Sequence, residues 1–454
     1  MTDSQGEQDA DSRRTQRSDG VPTRTRRAFL ATGAAVTFAS LSGCAGDGGD
    51  GSDGADGGDG ADGGDGGGTS TSGTPTYPDE VVIGSVHPFT GSTSYTGKRC
   101  HNAIDLAATI ANENGGIESM DGAEVRVIKG DHKNDPTVGG EVTRELIDEG
   151  ADILTGTYSS RVTNAATQVA ESQGVPFVID VSVAASLLQE RDLDYVYRTQ
   201  PNSLSMAENC TTHTLAGTSQ ADLEAGTAGL FYVDTTYGQA IRDGLKAALG
   251  ETDLEIVAEE TIGFGETADT QVTKLRQTDP DVLFPTVFPN QLLELVSAMK
   301  GQDYWPGLFS ACASGGMNKK NFQQIGDVMN GALWTGYQID TTLEKARRID
   351  ERFASTYDTA PMESNQGIAY ATGEVMVEAF EQAASADADA LNEALQNMEF
   401  ADHIMAMPPI SFTERGENAN PLAVTNQVQG LESHIVYPER YARTDLRTAT
   451  IGGL

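Results

Sequence analysis

Apolar and polar positions alternate along this chain in two regular series. In the first, short apolar runs predict strands over residues 80–89, 124–130, 151–156 and 175–180. Helical spacing of apolar residues between them predicts helices over 98–114, 136–149 and 161–173, the first stopped by Gly115-Gly116. The second series predicts strands over 228–233, 254–262, 281–287 and 331–338, with helices over 238–249, 267–278 and 290–300. A long helix over 366–384 and an irregular, strand-rich tail over 403–437 complete the pattern. Repeated strand-helix-strand units imply parallel sheets covered on both faces. The expected fold class is therefore α/β, with two doubly wound parallel-sheet lobes joined by a multi-crossing hinge. Open parallel sheets hold ligands beyond the carboxyl ends of their strands, so two facing lobes create a cleft.

The first 77 residues break this pattern. Arg26 and Arg27 precede Phe29-Leu30 and an apolar run over 31–41, too short to span a bilayer. The stretch resembles a twin-arginine export signal. Its end, Leu41-Ser42-Gly43-Cys44, looks like a lipobox, which makes Cys44 the lipidated first residue of the mature chain. Beyond it, Asp47, Asp50, Asp53, Asp56, Asp59, Asp62 and Asp65 recur at a strict period of three among Gly, Ala and Ser. Such a segment buries too little apolar surface to offset its chain entropy and is expected to be an extended tether. The expected organisation is a signal over 1–44, a tether over 45–77, one lobe from 78–202 plus 339–410, and a second from 203–338 plus 411–440.

Charge narrows the choice of partner. The chain carries a formal −37, and setting aside the tether's seven Asp and the leader's net +1 leaves −31 on residues 78–454. Nucleic acid and anionic lipid are poor partners for such a surface, since phosphate binding needs basic patches. Acidic groups spread along the chain suit a solvated surface in high salt, a halophilic trait, with self-repulsion relieved by screening. Past the lipobox only Cys100, Cys210 and Cys312 remain, so at most one disulfide forms within the chain. The six histidines lack metal-ligand spacing, and no metal or other cofactor is expected. No Gly-x-Ser-x-Gly elbow or phosphate-binding Gly-rich loop is present, and the chain is read as not an enzyme.

Six segments in order carry a family resemblance. They are IGSVHPFTGSTSYTGKRCHNAIDLAATIANENGGI, DHKNDP, GTYSS, GVPFVID, YVYRTQPNS and FYVDTTYGQAIRDGLKAAL. Together they resemble the type I periplasmic-binding-protein-like solute-binding lipoproteins of ABC importers, in the subgroup handling branched-chain amino acids, amides and urea. The resemblance spans nearly all of residues 79–440. It implies a small polar solute, a branched-chain or related amino acid, held between two lobes by a monomer and delivered to permease and ATPase subunits. The place of action is the outer face of the cytoplasmic membrane, through a lipid on Cys44. Urea, short amides, small carboxylates, or ligand sensing with a separate transducer chain are the alternatives.

The candidate ligand-binding residues follow from both readings. Ser159 and Ser160 lie between a strand and a helix, where hydroxyls and free backbone N–H groups can hold a carboxylate or carbonyl oxygen. Ser182 and Ala184 follow the fourth strand, where amino-acid-binding relatives carry a small residue and a Thr. Phe288 stands where relatives carry an aromatic, and Ala313 lies in the segment where they carry a Glu. With that Glu missing, Asp180 at the end of the fourth strand is the expected partner for an ammonium. Tyr95 and Tyr158 are candidate lids. Asp131, Asp135 and Asp234 are read as loop and helix-cap residues.

Overall fold

A computed structural model describes residues 77–448. The twin-arginine stretch, Cys44 and the Asp/Gly repeat all lie outside the described residues.

The first series forms β1 (Glu80–His87), α1 (Ser94–Glu113), β2 (Glu124–Asp131), α2 (Pro136–Asp148), β3 (Ile153–Gly156), α3 (Ser160–Gln173), β4 (Phe177–Ile179), the short α4 (Ser186–Gln189) and β5 (Val196–Arg198). These strands make a wholly parallel five-stranded sheet in the order β2-β1-β3-β4-β5. The chain continues as α5 (Ser203–Gln220), β6 (Thr227–Val233), α6 (Thr236–Leu249), β7 (Glu255–Ile262), α7 (Asp269–Thr278), β8 (Val282–Thr286), α8 (Pro289–Gly301), β9 (Leu308–Cys312), α9 (Lys319–Ile325) and β10 (Leu333–Gly336). It then adds α10 (Glu344–Thr356), α11 (Ser364–Ala383), α12 (Ala388–Gln396), β11 (Glu399–Phe400), β12 (Ile410–Ser411), β13 (Val424–Gln429) and β14 (Glu432–Tyr437). The second sheet runs β14-β13-β10-β9-β8-β6-β7, with β13 alone reversed, so that its pairings with β10 and β14 are antiparallel and the others parallel. β11 and β12 form a separate antiparallel pair.

Strand alternation explains the layering of the first lobe. Val81, Ile83, Ile153 and Val178 pack in one core with α1 and α11, whereas Val86, Leu154, Phe177 and Ile179 pack in another with α2 and α3. Successive residues point to opposite faces, so a strand covered by helices on both sides reads as one apolar run. β1 shows this directly, with seven of its eight residues buried. The chain passes between the sheets three times: from β5 to α5, from β10 to α10, and from β12 to β13.

Besides the short α4, β5 and α9, two elements were absent from the sequence expectation. Residues 203–220 carry little apolar periodicity yet form α5, and residues 308–312, Leu-Phe-Ser-Ala-Cys, form β9 although Ser310 interrupts the apolar run. Both are held by buried polar pairs: Thr214 Oγ1 lies 2.6 Å from Ser310 Oγ, and His213 Nδ1 lies 2.8 Å from Thr425 Oγ1. A buried face made of Thr, Ser and His is invisible to a hydrophobicity pattern, although its groups are satisfied. Asp135 caps α2, accepting from the N–H groups of Thr137 at 2.8 Å and Val138 at 3.1 Å.

Candidate ligand-binding site

A cavity of about 670 Å³ opens between the carboxyl ends of the two sheets. One wall comes from the junction of β3 and α3. Gly156 ends β3 at φ +136°, where an added Cβ would stand 2.0 Å from the Val86 carbonyl oxygen, so only glycine lets the chain pass. Thr157, Tyr158 and Ser159 then turn into α3, with Tyr158 itself in the left-handed region at φ +76°. The turn is well braced. His132 Nδ1 accepts from the Asn134 N–H at 3.0 Å, so its Nε2–H donates to the Thr157 carbonyl at 2.9 Å. The Ser159 carbonyl accepts from the N–H groups of Val162 and Thr163, both at 2.9 Å.

Ser159 occupies the N-cap position, but its hydroxyl makes no capping bond. Ser160, the first helical residue, is 3% exposed and lines the cavity. The helix therefore presents its positive end and two hydroxyls to the space. Burial holds the Tyr158 phenol well above its ordinary value, so it remains an O–H group at any physiological pH.

The facing wall is aromatic. Phe288, the residue before α8, has ring centroids 5.1 Å from Tyr237, 5.7 Å from Phe264 and 6.3 Å from Tyr158 across the cleft. Tyr237 donates its O–H to the Ala313 carbonyl. Ala313 lines the cavity at φ +48°, and Ser314 bonds Val287 through both its donor and acceptor functions. Tyr337 donates to Asn365 Oδ1 at 2.7 Å where the chain leaves the second sheet. Tyr95 lines the cavity but is 58% exposed, its ring 5.2 Å below the Arg99 guanidinium.

Of the nine residues expected to meet a ligand, the structure brings Tyr95, Tyr158, Ser159, Ser160, Phe288 and Ala313 to this cavity. Asp180, Ser182 and Ala184 lie elsewhere, which corrects their expected position. The segment after β4 keeps its alternation, so Val181 and Val183 line the cavity while the even-numbered side chains are buried inside the lobe. Asp180 Oδ2 stands 2.8 Å from His87 Nε2, and Oδ1 accepts from the Val181 N–H at 2.7 Å. Ser85 Oγ lies 2.9 Å from His87 Nδ1 and 3.0 Å from His101 Nδ1. One directional chain satisfies all four groups: His101 to Ser85, Ser85 to His87, His87 to Asp180. Ser182 spends its hydroxyl on Thr163, and Arg198 donates to the Ala184 carbonyl at 2.7 Å.

Two features were missed by sequence reasoning. Tyr237 stands in DTTYG, which runs from the end of β6 into the first turn of α6, much as Tyr158 stands in GTYSS just before α3, and the repeated Thr-Tyr at both junctions was the available signal. His87, Cys100 and Asp180 bring potential metal-ligand atoms within 4.8 Å of one another. Burial, with the Asp180 charge, pushes the Cys100 thiol up, so it stays protonated behind the cavity.

The profile of the periplasmic binding protein family matches residues 80–430, from the first residue of β1 to the turn after β13. The chain belongs to this family. It is similar to Leu/Ile/Val-binding protein homolog 8 of Brucella abortus, 24% identical over 384 residues that cover 81% of this chain and 93% of the relative. Among solved structures it is similar to the branched-chain amino acid transporter substrate-binding protein LivJ of Streptococcus pneumoniae in complex with isoleucine. The TM-score is 0.66 at 18% identity, covering 79% of this chain and 100% of that one. An ABC transporter solute-binding protein of R. palustris in complex with benzoate also scores 0.66 at 18% identity, covering 79% and 95%. In this periplasmic binding protein, no helix among the described residues is long and apolar enough to cross a membrane.

Proposed function

We propose that this protein is the extracytoplasmic solute-binding component of an ABC importer, closing two lobes on one small solute without turning it over. The observation that carries this is a cavity walled from both sheets, with Tyr158 of one lobe facing Phe288 of the other. A solute that touches both walls only in the closed state shifts the population toward that state. The lobes, 78–202 with 339–410 and 203–338 with 411–440, swing about the three crossings. The relatives' names speak of leucine, isoleucine and valine, and the solved neighbours hold isoleucine and benzoate. A carboxylate on an apolar body is common to all of these, and a wall of hydroxyls facing a wall of rings suits it. Calorimetry with a panel of amino acids, amides, urea and carboxylates, paired with scattering, tests the reading. Compaction at saturation is expected, and saturation without compaction removes the closure mechanism.

The anchoring scheme is part of the same proposal. Export through Arg26 and Arg27, lipidation at Cys44 and the acidic tether would hold the domain outside the membrane, near a permease. One acyl chain anchors only marginally, so a stable anchor carries more than one. Cys44→Ala is expected to abolish lipid labelling, and Arg26→Lys with Arg27→Lys to block export. Normal labelling of the Cys44 variant would remove the lipobox from the scheme.

A further inference from the structure

We infer that Cys210 and Cys312 are an oxidisable pair that closes a disulfide in the second lobe, stapling α5 to β9 beneath the wall of the cleft. The inference stands apart from the solute-binding reading above.

The placement follows from one hydrogen bond and two periodicities. Thr214 Oγ1 of α5 lies 2.6 Å from Ser310 Oγ of β9, with both residues fully buried. Cys210 stands four residues before Thr214, about 6 Å back along the same helix face. Cys312 stands two residues beyond Ser310, about 6.6 Å onward along the same strand face. Cys210 Sγ lies 3.9 Å from the Ala311 carbonyl oxygen, so α5 runs against β9 at this contact. The two steps nearly match, and they bring the sulfurs together, the Cys312 thiol donating to Cys210.

Both cysteines are free and fully buried. Burial raises the Cys210 thiol, but donors from Cys312, Thr335, Ser310 and Thr214 outweigh it and hold the group below its ordinary value. Burial and the neighbouring Cys210 push Cys312 well above its own value, so the proton between them stays on Cys312. Cys100 takes no part. It sits on α1 of the first lobe, where its thiol donates to the Asn365 carbonyl at 3.7 Å.

The oxidant is an external disulfide, met when α5 lifts locally from β9. The Cys210 thiolate attacks one of its sulfurs, forming a mixed disulfide and releasing one thiolate. Cys312 gives its proton to water, attacks Cys210 Sγ and displaces the second thiolate. Two cysteine thiols thus lose two electrons and two protons, and the external disulfide becomes two thiols. The new bond closes a loop of about 100 residues that contains β6, β7 and β8, which removes chain entropy from the unfolded state. It also anchors the residue before Ala313, whose carbonyl accepts the Tyr237 O–H at the cavity wall.

Peptide mapping of the full chain tests this. The protein is held with oxidised glutathione in urea below its unfolding transition, then denatured in N-ethylmaleimide, digested with trypsin and read by mass spectrometry. Cleavage after Arg198, Arg242, Lys300 and Lys319 places Cys210 on peptide 199–242 and Cys312 on peptide 301–319. These peptides are expected to be joined, with Cys100 carrying maleimide, and dithiothreitol before labelling should separate them. Cys100→Ser should keep the link and Cys210→Ser should lose it. The oxidised parent should unfold at least about 4 °C above the reduced parent, a difference that Cys210→Ser removes. Maleimide or glutathione on both Cys210 and Cys312, or a link that includes Cys100, overturns the pair. A link that leaves the two midpoints equal overturns the staple.

Discussion

The two walls of the cleft are built from the same kind of strand-to-helix junction and ended up with opposite chemistry. In the first lobe, Gly-Thr-Tyr-Ser-Ser leads into α3 and leaves hydroxyls and N–H groups at the cavity. In the second, Asp-Thr-Thr-Tyr-Gly leads into α6, Thr235 spends its hydroxyl capping Gly238, and the wall is finished with Phe288 and Phe264. The comparison teaches that a helix terminus becomes a binding wall only where its own side chains leave the terminal groups unspent. One lobe presents donors and the other apolar contact area, and the proposed closure requires a solute that meets both.

Acidification should separate the lobes most strongly. Burial depresses His101 to about 3 and His132 to about 4 in the first lobe, and His213 to about 4 in the second. Each is neutral when folded but takes a proton when unfolded below about pH 6.5, so its contribution is intact above 6.5 and lost as pH falls toward 4. Each group costs about 1.4 kcal/mol per pH unit across that window. Burial also holds His403 of the first lobe below its ordinary value, while Glu374, pushed up to about 7 by burial, works the other way. The first lobe keeps the larger net loss, and hydrogen exchange at pH 4.5 should show β1 and β3 losing protection before β8 and β9. Equal loss in both sheets would break the asymmetry.

Phe288→Ala removes the ring shared by Tyr158, Tyr237 and Phe264. Ligand affinity should fall by about 2 to 4 kcal/mol in calorimetry, the cost of a central aromatic anchor. A loss below 1 kcal/mol would mean that the second lobe contributes shape rather than contact.

Asp180→Ala should act on the fold and not on the ligand. It leaves His87 Nε2 buried without its acceptor, which costs about 1 to 3 kcal/mol of stability in denaturant titration, with Kd unchanged. A weakened Kd at unchanged stability would return Asp180 to the cavity wall. The smallest effect is expected at Tyr95, whose exposed ring and cation–π contact to Arg99 are worth about 0.5 to 1 kcal/mol. Tyr95→Ala should shift ligand affinity by no more than that, and a larger shift would make it a lid.

Much of the architecture was legible because periodicity is local. β1, α2, β3 and β6 fall within a few residues of their expected positions, since a run covered on both faces or an apolar helix stripe reports its own surroundings. α5 and β9 were not legible, because their buried faces use Thr214, His213 and Ser310 in pairs made with distant strands. In the site, Ser159 and Ser160 were legible from their place between strand and helix, whereas Asp180 was misplaced. Its direction depends on how the alternation of β4 carries past Ile179, and its partner His87 is 93 residues away.

By itself the sequence determined the order of strands and helices, the family, and the acidic character of the surface, because each is a property of neighbouring residues or of composition. Only the tertiary structure decided which side chains meet in the cleft. That choice depends on the register of two sheets and on hydrogen-bond partners far apart in the chain, so Val181 and Val183 reached the cavity while Asp180 turned inward to His87.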